Sequence, residues 1–416
     1  MKILFLPDNF PPEVNALASR TYEHCARWVQ QGAAVTVITC APNYPQGRVY
    51  PGYRNRLYQT ETMAGIRVVR VWSYIVPNAG VVKRVIDHLS FAVNGFIAGL
   101  FHRSDILIAS TPHFFPIFTA CALSIVTRRP WIFEVRDLWT DSIMAVGVMR
   151  RNLIIRLLEK VEHFLYWHAD CIVVVSPAFK EHIARRGIEP DKIQIVTNGV
   201  DREQFAPKTL DSALADKLGL SGKFVFAYIG THGMAHGLDF VLRAAAKITD
   251  PRIHFLFIGD GAEKAALRKL AAELGLSNVT MLDPVPREDV EKYLGLSEVA
   301  LVPLRRAETF LTVIPSKIFE ATSMLKPILL GVDGQARSIV ERYDAGLFFE
   351  PEDEASFLDA VNKLANDGAL LVRLKAGCEK LATSYDRNAL ADAMLDVLKD
   401  VVRKRASRSW WRATRD

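Results

Sequence analysis

Phe224-Val225-Phe226-Ala227-Tyr228-Ile229 is an unbroken apolar run that stops at Gly230-Thr231-His232-Gly233-Met234-Ala235-His236-Gly237. It lacks the polar alternation of a strand with one wet face. Such a run reads as a strand buried on both sides, and its sheet must then carry helices on both faces. Three glycines in eight residues at the end of a parallel strand let backbone approach a ligand closely. The loop is neither a Walker loop nor the G-x-G-x-x-G fingerprint, and a plain turn is the alternative. His232 and His236 either donate to phosphate oxygens, more strongly when protonated, or are ordinary polar loop residues.

The same signature recurs on both sides of this run. Downstream, strand-like runs fall at Ile253–Ile258, Val279–Leu282, Val299–Val302 and Pro327–Leu330, with helical stretches between them. Ile253–Ile258 ends in Gly259-Asp260-Gly261, a turn common in α/β chains and weak as a motif. Upstream, runs at Ile3–Leu6, Ala34–Thr39, Ile66–Val71, Ile106–Ala109, Trp131–Val135, Cys171–Val175 and Ile193–Val196 alternate with helices, notably Ala18–Gln31, Val82–His102, Phe115–Thr127 and Asn152–Ala169. A turn-forming cluster, Thr197-Asn198-Gly199-Val200-Asp201, and a polar segment read as a linker separate the halves. A last helix is expected over about Asp386–Arg403, before a basic, aromatic tail. The fold class is therefore α/β, with two doubly wound Rossmann-like domains facing across a cleft.

Pro315-Ser316-Lys317-Ile318-Phe319-Glu320 follows the strand near 299–302 and opens a helix that the pattern extends to about Leu325. Pro suits the first helical turn. Ser316, Lys317 and Glu320 share one helical face. The helix start offers free N–H groups to an anion, Lys317 adds charge, and Glu320 can accept from two sugar hydroxyls. A nucleoside diphosphate carries the complements in that order. The bland alternative is a capped helix with a Lys–Glu pair worth about 0.2–0.5 kcal/mol. Arg305 either joins this group or is a solvated loop charge.

Composition sets the class. The chain has 416 residues, 50% hydrophobic and 24% charged, with a net charge of +6; that describes a globular protein with a mild preference for anionic partners. Five cysteines without a Cys-x-x-Cys pair argue against a disulfide framework or zinc site and fit a reducing cytoplasm. No signal peptide and no bilayer-length apolar run are visible. No Asp-x-Asp triplet occurs, so no metal site is expected on that pattern.

In the first half, Asp8-Asn9-Phe10-Pro11-Pro12-Glu13-Val14-Asn15-Ala16 follows the first strand. Asn15 and Ala16 could bring backbone N–H groups near an anion. Arg20 lies on the next helix and reads as a surface residue or a cleft residue. Arg136 and Asp137 sit at the carboxyl end of a strand, as site residues or as a structural pair. His113 is a site candidate or a structural histidine.

With these motifs in place, the chain resembles a retaining glycosyltransferase of the GT-B fold (family-four type). The resemblance runs through Pro11-Pro12-Glu13, Asn198-Gly199-Val200-Asp201, the 230–237 glycine loop, Gly259-Asp260-Gly261 and Pro-Ser-Lys-x-x-Glu. It is strongest to bacterial O-antigen, capsule and colanic-acid transferases, including the N-acetylfucosamine transferase subgroup. The resemblance implies an acceptor-side domain over 1–198, a nucleotide-sugar-binding domain over 199–385, and a helix and tail over 386–416 that pack back on the first domain. It implies a nucleotide-sugar donor, UDP-linked, and no cofactor. The acceptor implied is a lipid-linked (polyprenyl diphosphate) saccharide. It assigns nucleotide-sugar contacts to Asn15, Ala16, Gly230, His232, His236, Gly259, Arg305, Pro315, Ser316, Lys317 and Glu320, and catalytic roles to His113, Arg136, Asp137 and Lys317. Glu320 matches the second, ribose-holding glutamate of the family's Glu-x7-Glu motif. The first falls on Thr312, and the usual Arg/Lys diphosphate clamp has no counterpart in the glycine loop. Lys317, Arg305 and the Ser316 backbone are the expected replacements.

Two basic, apolar segments suggest a protein lying on the inner face of the cytoplasmic membrane. The first is the helix near 85–101, with Lys83-Arg84 before it and His102-Arg103 after it. The second is Met149–His168, with Arg150, Arg151, Arg156 and Lys160. The tail adds Trp410-Trp411. Such segments suit an anionic membrane surface; the alternative is that both helices pack on the sheet. No nucleic-acid partner is expected. A NAD-dependent sugar dehydrogenase should show G-x-G-x-x-G after its first strand, where this chain has Pro-Asp-Asn-Phe-Pro-Pro. A solute-binding protein should carry an export signal. A non-hydrolysing sugar-nucleotide epimerase shares the architecture and is set aside only by resemblance.

Overall fold

The computed structural model describes residues 1–13, 15–44, 46–76, 81–111, 114–138 and 153–413. The chain forms two compact units, residues 1–197 with the C-terminal segment from Asn388, and Asn198–Arg387. His113, Arg150 and Arg151 lie outside the described residues.

The first unit is an eight-stranded sheet of β1 (Lys2–Leu6), β2 (Ala34–Cys40), β3 (Tyr58–Met63), β4 (Ile66–Val71), β5 (Ile106–Ser110), β6 (Trp131–Val135), β7 (Cys171–Val174) and β8 (Ile193–Ile195). Their order is β3-β4-β2-β1-β5-β6-β7-β8. All neighbours run parallel except β3 and β4. β3 was not legible as a strand. Its sequence, Tyr-Gln-Thr-Glu-Thr-Met, is that of an exposed edge, joined to β4 through Ala64 and Gly65, both at positive φ. The helices are α1 (Ala16–Gln30), α2 (Val81–Phe101), α3 (Phe114–Thr127), α4 (Leu153–His168) and α5 (Pro177–Arg185). One core joins α2 through α5 to one face of the sheet, through Phe91, Ile117, Leu123, Leu165 and Ile183. On the other face, α1 packs Cys25 and Trp28 against Ile3, Phe5 and Val37.

The second unit is a six-stranded parallel sheet of β9 (Phe224–Ile229), β10 (Ile253–Ile258), β11 (Val279–Leu282), β12 (Val299–Pro303), β13 (Ile328–Gly331) and β14 (Gly346–Phe348), in the order β11-β10-β9-β12-β13-β14. β14, three residues long, is too short to read from sequence. The helices are α6 (Ser212–Lys217), α7 (Leu238–Ala245), α8 (Lys264–Glu273), α9 (Val290–Gly295), α10 (Lys317–Ser323), α11 (Gln335–Tyr343), α12 (Glu354–Asn366) and α13 (Gly368–Ser384). α10 is shorter than its pattern suggests, because Leu325 takes a positive φ soon after its end. The segment read as a linker is built into this unit. Val200 and Phe205 are buried with Phe319, Met324 and Leu381, and Ser323 Oγ donates to the Phe205 carbonyl at 2.6 Å.

The C-terminal helix α14 (Arg387–Ala413) runs longer than the pattern suggests. Beyond residue 388 it belongs to the first unit. Met394, Leu395, Leu398 and Val401 bury against the α1 face of that sheet. Trp28 Nε1 donates to the Ala391 carbonyl at 2.8 Å, and Arg27 grips Asp392 through Nε and Nη2 at 2.8 and 2.7 Å. Leu398 is fully buried in this contact. Leu398→Ala should therefore cost about 2–5 kcal/mol, read as a lower urea midpoint at unchanged slope.

Candidate functional site

In a doubly wound sheet the ligand crevice lies beyond the carboxyl ends of the strands, where the strand order reverses. In the second unit the reversal is between β9 and β12. The chain steps from β9 to β10 and β11 on one side, then crosses to β12 on the other. The β9–β12 register holds only Val299↔Phe226 and Ala300↔Ala227, whereas β9 and β10 pair along six residues. The glycine loop leaves β9 here, and the segment leading to α10 leaves β12 here.

Those two segments meet at Tyr228. Lys317 Nζ sits 3.7 Å from the centre of its ring. The rings of His232 and His236 lie 5.8 and 5.9 Å from it. Tyr228 Oη is turned away, donating to the Thr231 carbonyl at 2.5 Å. A side chain at Gly230 has no room, because a Cβ there would stand 2.6 Å from Lys317 Cε and 2.7 Å from Nζ. Lys317 thus reaches back under the loop that lacks cations of its own.

Burial governs the electrostatics. It lowers the Lys317 ammonium to about 7, with Glu320 pulling partly the other way. His232 falls to about 4, through burial first and then the charges of Lys264 and Lys317. Burial and Lys317 also lower His236. Burial around the two rings and cations beside them therefore favour the neutral imidazole in both. His232 is fully buried, yet neither ring nitrogen has a hydrogen-bond partner among the described residues. Leaving such a group unsatisfied costs about 1–3 kcal/mol, a cost that a ligand acceptor would relieve.

Glu320 lies one turn along α10 from Lys317. Its carboxylate is 3.7 Å from Arg287 Nη2. Burial raises its pKa, while Arg287, Arg387 and Lys317 offset part of the rise. Ser316 is the N-cap residue and its side chain makes no capping bond; the Pro315 and Ser316 carbonyls accept the first helical bonds from Ile318 and Phe319. Thr312, where the family's first glutamate would stand, is exposed.

Two expected ligand residues have structural work. Arg305 donates through Nε to the Met234 carbonyl at 2.8 Å, and its Nη atoms pair with Asp239 at 2.7 Å and Glu352 at 3.0 Å. With two carboxylates on one guanidinium, it braces the glycine loop. Gly259, at φ +147°, has a structural reason to be bare. A Cβ there would lie 1.8 Å from the Gly230 carbonyl oxygen, so its bareness serves contact between the two loops. Gly230 N–H donates to the Ile258 carbonyl and His232 N–H to the Asp260 carbonyl, both at 2.8 Å. Lys264 holds the same junction from below, donating to the Gly259 carbonyl at 2.5 Å and to that of Leu282.

Tyr228, Arg287, Arg387 and Lys264 escaped the sequence reading. Only Tyr228 left a trace, as the one hydroxylated ring in an otherwise plain apolar strand.

In the first unit the strand order reverses between β1 and β5. The β1 loop is pinned by buried Glu13, whose carboxylate accepts from the N–H groups of Phe10, Asn43 and Tyr44. Asn15 caps α1, its Oδ1 accepting from Ala18 N–H at 2.8 Å, and Ala16 is the first residue of that helix. Arg20 is corrected as a surface residue. It is buried, pairs with Glu134 at 3.2 Å, and donates to the Thr197 and Val196 carbonyls at 2.6 and 3.1 Å. Burial pushes the Glu134 carboxyl up, but Arg20, Arg136 and the Ser110 hydroxyl outweigh it and hold it below the usual range. The backbone N–H groups of Arg136 and Asp137 both donate to Thr111 Oγ1, at 2.7 and 3.0 Å, which ties the loop after β6 to the end of β5. Among the described residues, no cluster of three metal-ligating side chains occurs.

If the glycine loop needs its neighbour this close, Gly259→Ala must push the Gly230 carbonyl aside. That variant should keep the far-ultraviolet circular dichroism of the parent but lose most of the thermal stabilisation conferred by a bound nucleotide. A full stabilisation would show that the junction tolerates a methyl group.

Comparison with known proteins places this geometry in a family. Residues 15–199 match the model of the glycosyl transferase 4-like domain, and residues 212–381 match that of glycosyl transferases group 1. The chain is 26% identical over 353 residues to WcaI of Escherichia coli (strain K12), named as a colanic acid biosynthesis glycosyl transferase, covering 82% of this chain and 84% of that protein. Sucrose-phosphate synthase from Thermosynechococcus elongatus has the same fold, with a TM-score of 0.71 at 17% identity over 96% of this chain and 98% of that one. So does Anabaena Alr3699/HepE in complex with UDP-glucose, with a TM-score of 0.67 at 16% identity over 96% of this chain and 100% of that one. Two glycosyltransferase domain models that between them span most of the chain, set on two Rossmann-like sheets with a lysine, a glutamate and two histidines at the reversal point of the second, make this protein a glycosyltransferase of the GT-B fold, an enzyme of hexosyltransferase type.

Proposed function

We propose that the protein transfers a sugar from a nucleoside diphosphate, UDP-linked, to a lipid-linked saccharide during assembly of a bacterial surface polysaccharide of the O-antigen or capsule kind, with retention at the anomeric carbon. One observation carries the reading: the Lys317 ammonium lies under the glycine loop, with Glu320 one helical turn beyond it. A diphosphate seated on the loop meets Lys317 and the N–H of His232, and the ribose hydroxyls then fall to Glu320. The relative named for colanic acid supports the polysaccharide assignment, and the UDP-glucose complex of a protein with this fold supports the donor class. An N-acetylated deoxyhexosamine is the proposed sugar.

The reaction breaks the bond between the anomeric carbon and the phosphate oxygen. It forms a bond to an acceptor hydroxyl on the same face, and the departing phosphate takes the acceptor proton. The protein's part is to position the reactants and to stabilise charge on the leaving diphosphate. Lys317 serves that charge. No cofactor or metal is part of the proposal. Arg136, Asp137 and His113 are the proposed acceptor-side residues. A protein lying on the inner face of the cytoplasmic membrane would meet such an acceptor where it is made.

Lys317 supplies the sharpest test. Its ammonium is cationic below pH 7 and neutral above, so donor affinity should fall as pH rises through about 7, and donor binding above that pH should take up a proton. Lys317→Ala should lower donor kcat/KM by roughly a hundredfold, the scale of losing one preorganised donor to a developing anion, and should remove the proton uptake seen by calorimetry in buffers of different ionisation enthalpy. Parental activity in the alanine variant sinks the assignment.

Thermal shifts with UDP, GDP and NAD give the second test. A ligand at 100 times its Kd adds about 2.7 kcal/mol. UDP should stabilise the parent and do so weakly in Glu320→Ala, whereas a shift with NAD alone would overturn the transferase reading.

A further inference from the structure

The largest feature that the transfer site leaves unexplained is on the first unit, on the outer side of α2, α3 and α4. These three helices share one face of the sheet, because a single core joins all of them to it. α2 and α3 pack closely: a Cβ at Gly99 would lie 2.4 Å from Leu123 Cδ1, and Thr119 Oγ1 donates to the Ala92 carbonyl at 3.1 Å. Their outward sides are therefore neighbours.

Those sides are apolar to a degree that water does not favour. From Leu89 to Phe101 every exposed side chain of α2 is hydrophobic, and the stripe Leu89, Val93, Ile97 and Phe101 repeats every four residues, ending with Phe101 81% exposed. On α3 every exposed described side chain is likewise hydrophobic, namely Phe118, Ile125 and Val126. α4 adds Leu157, Phe164 and Trp167, the last 66% exposed. Single exposed apolar residues are ordinary, but a contiguous set across three helices marks an interaction surface.

The exposed charged side chains described on α2 and α4 are basic, with Asp87 and Glu159 only partly exposed and Asp105 exposed beyond Arg103. Arg103 follows α2, and Arg128 follows α3; both are exposed. The two ends are clasped by Arg129, which donates to the Gly99 and His102 carbonyls at 3.1 and 2.7 Å. On α4, Arg156 and Lys160 are exposed beside Leu157 and Phe164. None of these four cations makes an ion pair among the described residues. Tyr58 stacks on His102 at the same end, a ring with a polar tip at the edge of an apolar field. Among the described residues no helix is long and apolar enough to cross a membrane, so contact with a bilayer here is lateral.

We propose that the outward faces of α2, α3 and α4 form a docking surface for an anionic lipid bilayer, with Leu89, Val93, Ile97, Phe101 and Trp167 entering the headgroup boundary and Arg103, Arg128, Arg156 and Lys160 meeting lipid phosphates. Apolar burial with flanking cations is the physics of an interfacial helix. The C-terminal helix packs Met394, Leu395, Leu398 and Val401 on the opposite face of the sheet.

The test is sedimentation of the full chain with phosphatidylcholine vesicles, with and without phosphatidylglycerol, at low and high salt. The parent should bind the anionic vesicles and release them as salt rises. Arg103→Glu with Arg128→Glu should weaken binding by roughly thirtyfold or more, at about fivefold per cation lost. Ile97→Ser with Phe101→Ser should abolish it. All four positions are outside the core, so unchanged melting temperatures and unchanged stabilisation by UDP should accompany the loss. A parent that ignores anionic vesicles at low salt overturns the proposal, as do variants that bind like the parent. A dimer that Ile97→Ser with Phe101→Ser converts to monomer, with vesicle binding intact, would assign the face to a second copy of the chain and overturn it equally. Failure of vesicle binding with the UDP shift intact leaves the transfer reading standing, and the reverse result leaves the docking surface standing.

Discussion

The nucleotide side of this enzyme depends on the short ladder between β9 and β12. Register between them ends at Ala300↔Ala227, so the loops that leave the two strands have separate paths and space beyond the sheet edge. The glycine loop takes one side and the approach to α10 takes the other. Lys317 crosses back to Tyr228 because nothing in the sheet blocks it, and because a bare Gly230 leaves room for its stem.

Charge in this site is held in an unusual balance. The glycine loop carries no lysine or arginine of its own, and burial lowers the pKa of both its histidines. Lys317, arriving from another element, and Lys264 supply the positive charge beside it. Lys317 is itself close to losing its proton, since burial opposes the ammonium and only Glu320 among its neighbours favours it. A bound diphosphate would supply the missing counter-charge. On the proposed reading Lys317 and its ligand would depend on each other. Arg305, the obvious substitute from sequence, is held by Asp239 and Glu352.

The first unit presents different physics on its two faces. One face is closed by α1 and α14 through Trp28, Leu395 and Leu398, with Arg27 and Asp392 at the rim. The other is closed by α2 to α5, whose inner sides are as apolar as any core. On α2, α3 and α4 much of the outer side is apolar too. Burial against the sheet explains the first property and leaves the second without an intramolecular cause, which is why the outer surface points to an external partner.

Much of the architecture was legible because buried parallel strands leave a coarse signal. Short, mostly apolar runs at β1, β5, β6, β9, β10 and β12 marked both sheets, and glycines after β9 and β10 and the Pro-Ser-Lys segment after β12 marked candidate chemistry. The edge strand β3 and the three-residue β14 carried no such signal, since an exposed edge needs no apolar run. The apparent linker after Asn198 hid Val200 and Phe205, two isolated residues whose burial depends on Phe319 and Leu381 far along the chain. Sequence named Lys317 and Glu320 because their spacing on one helix is local. It did not foresee the intramolecular partners of Arg20, Arg305 and Gly259, namely Glu134, Asp239 with Glu352, and the Gly230 carbonyl. The sequence by itself determined the alternation of strands and helices and the residues at strand ends, because hydrophobic periodicity and turn chemistry act over a few residues. Only the tertiary structure decided which charges are neutralised, which glycines face backbone and which apolar helix faces remain uncovered, because each of those is fixed by partners brought together from distant parts of the chain.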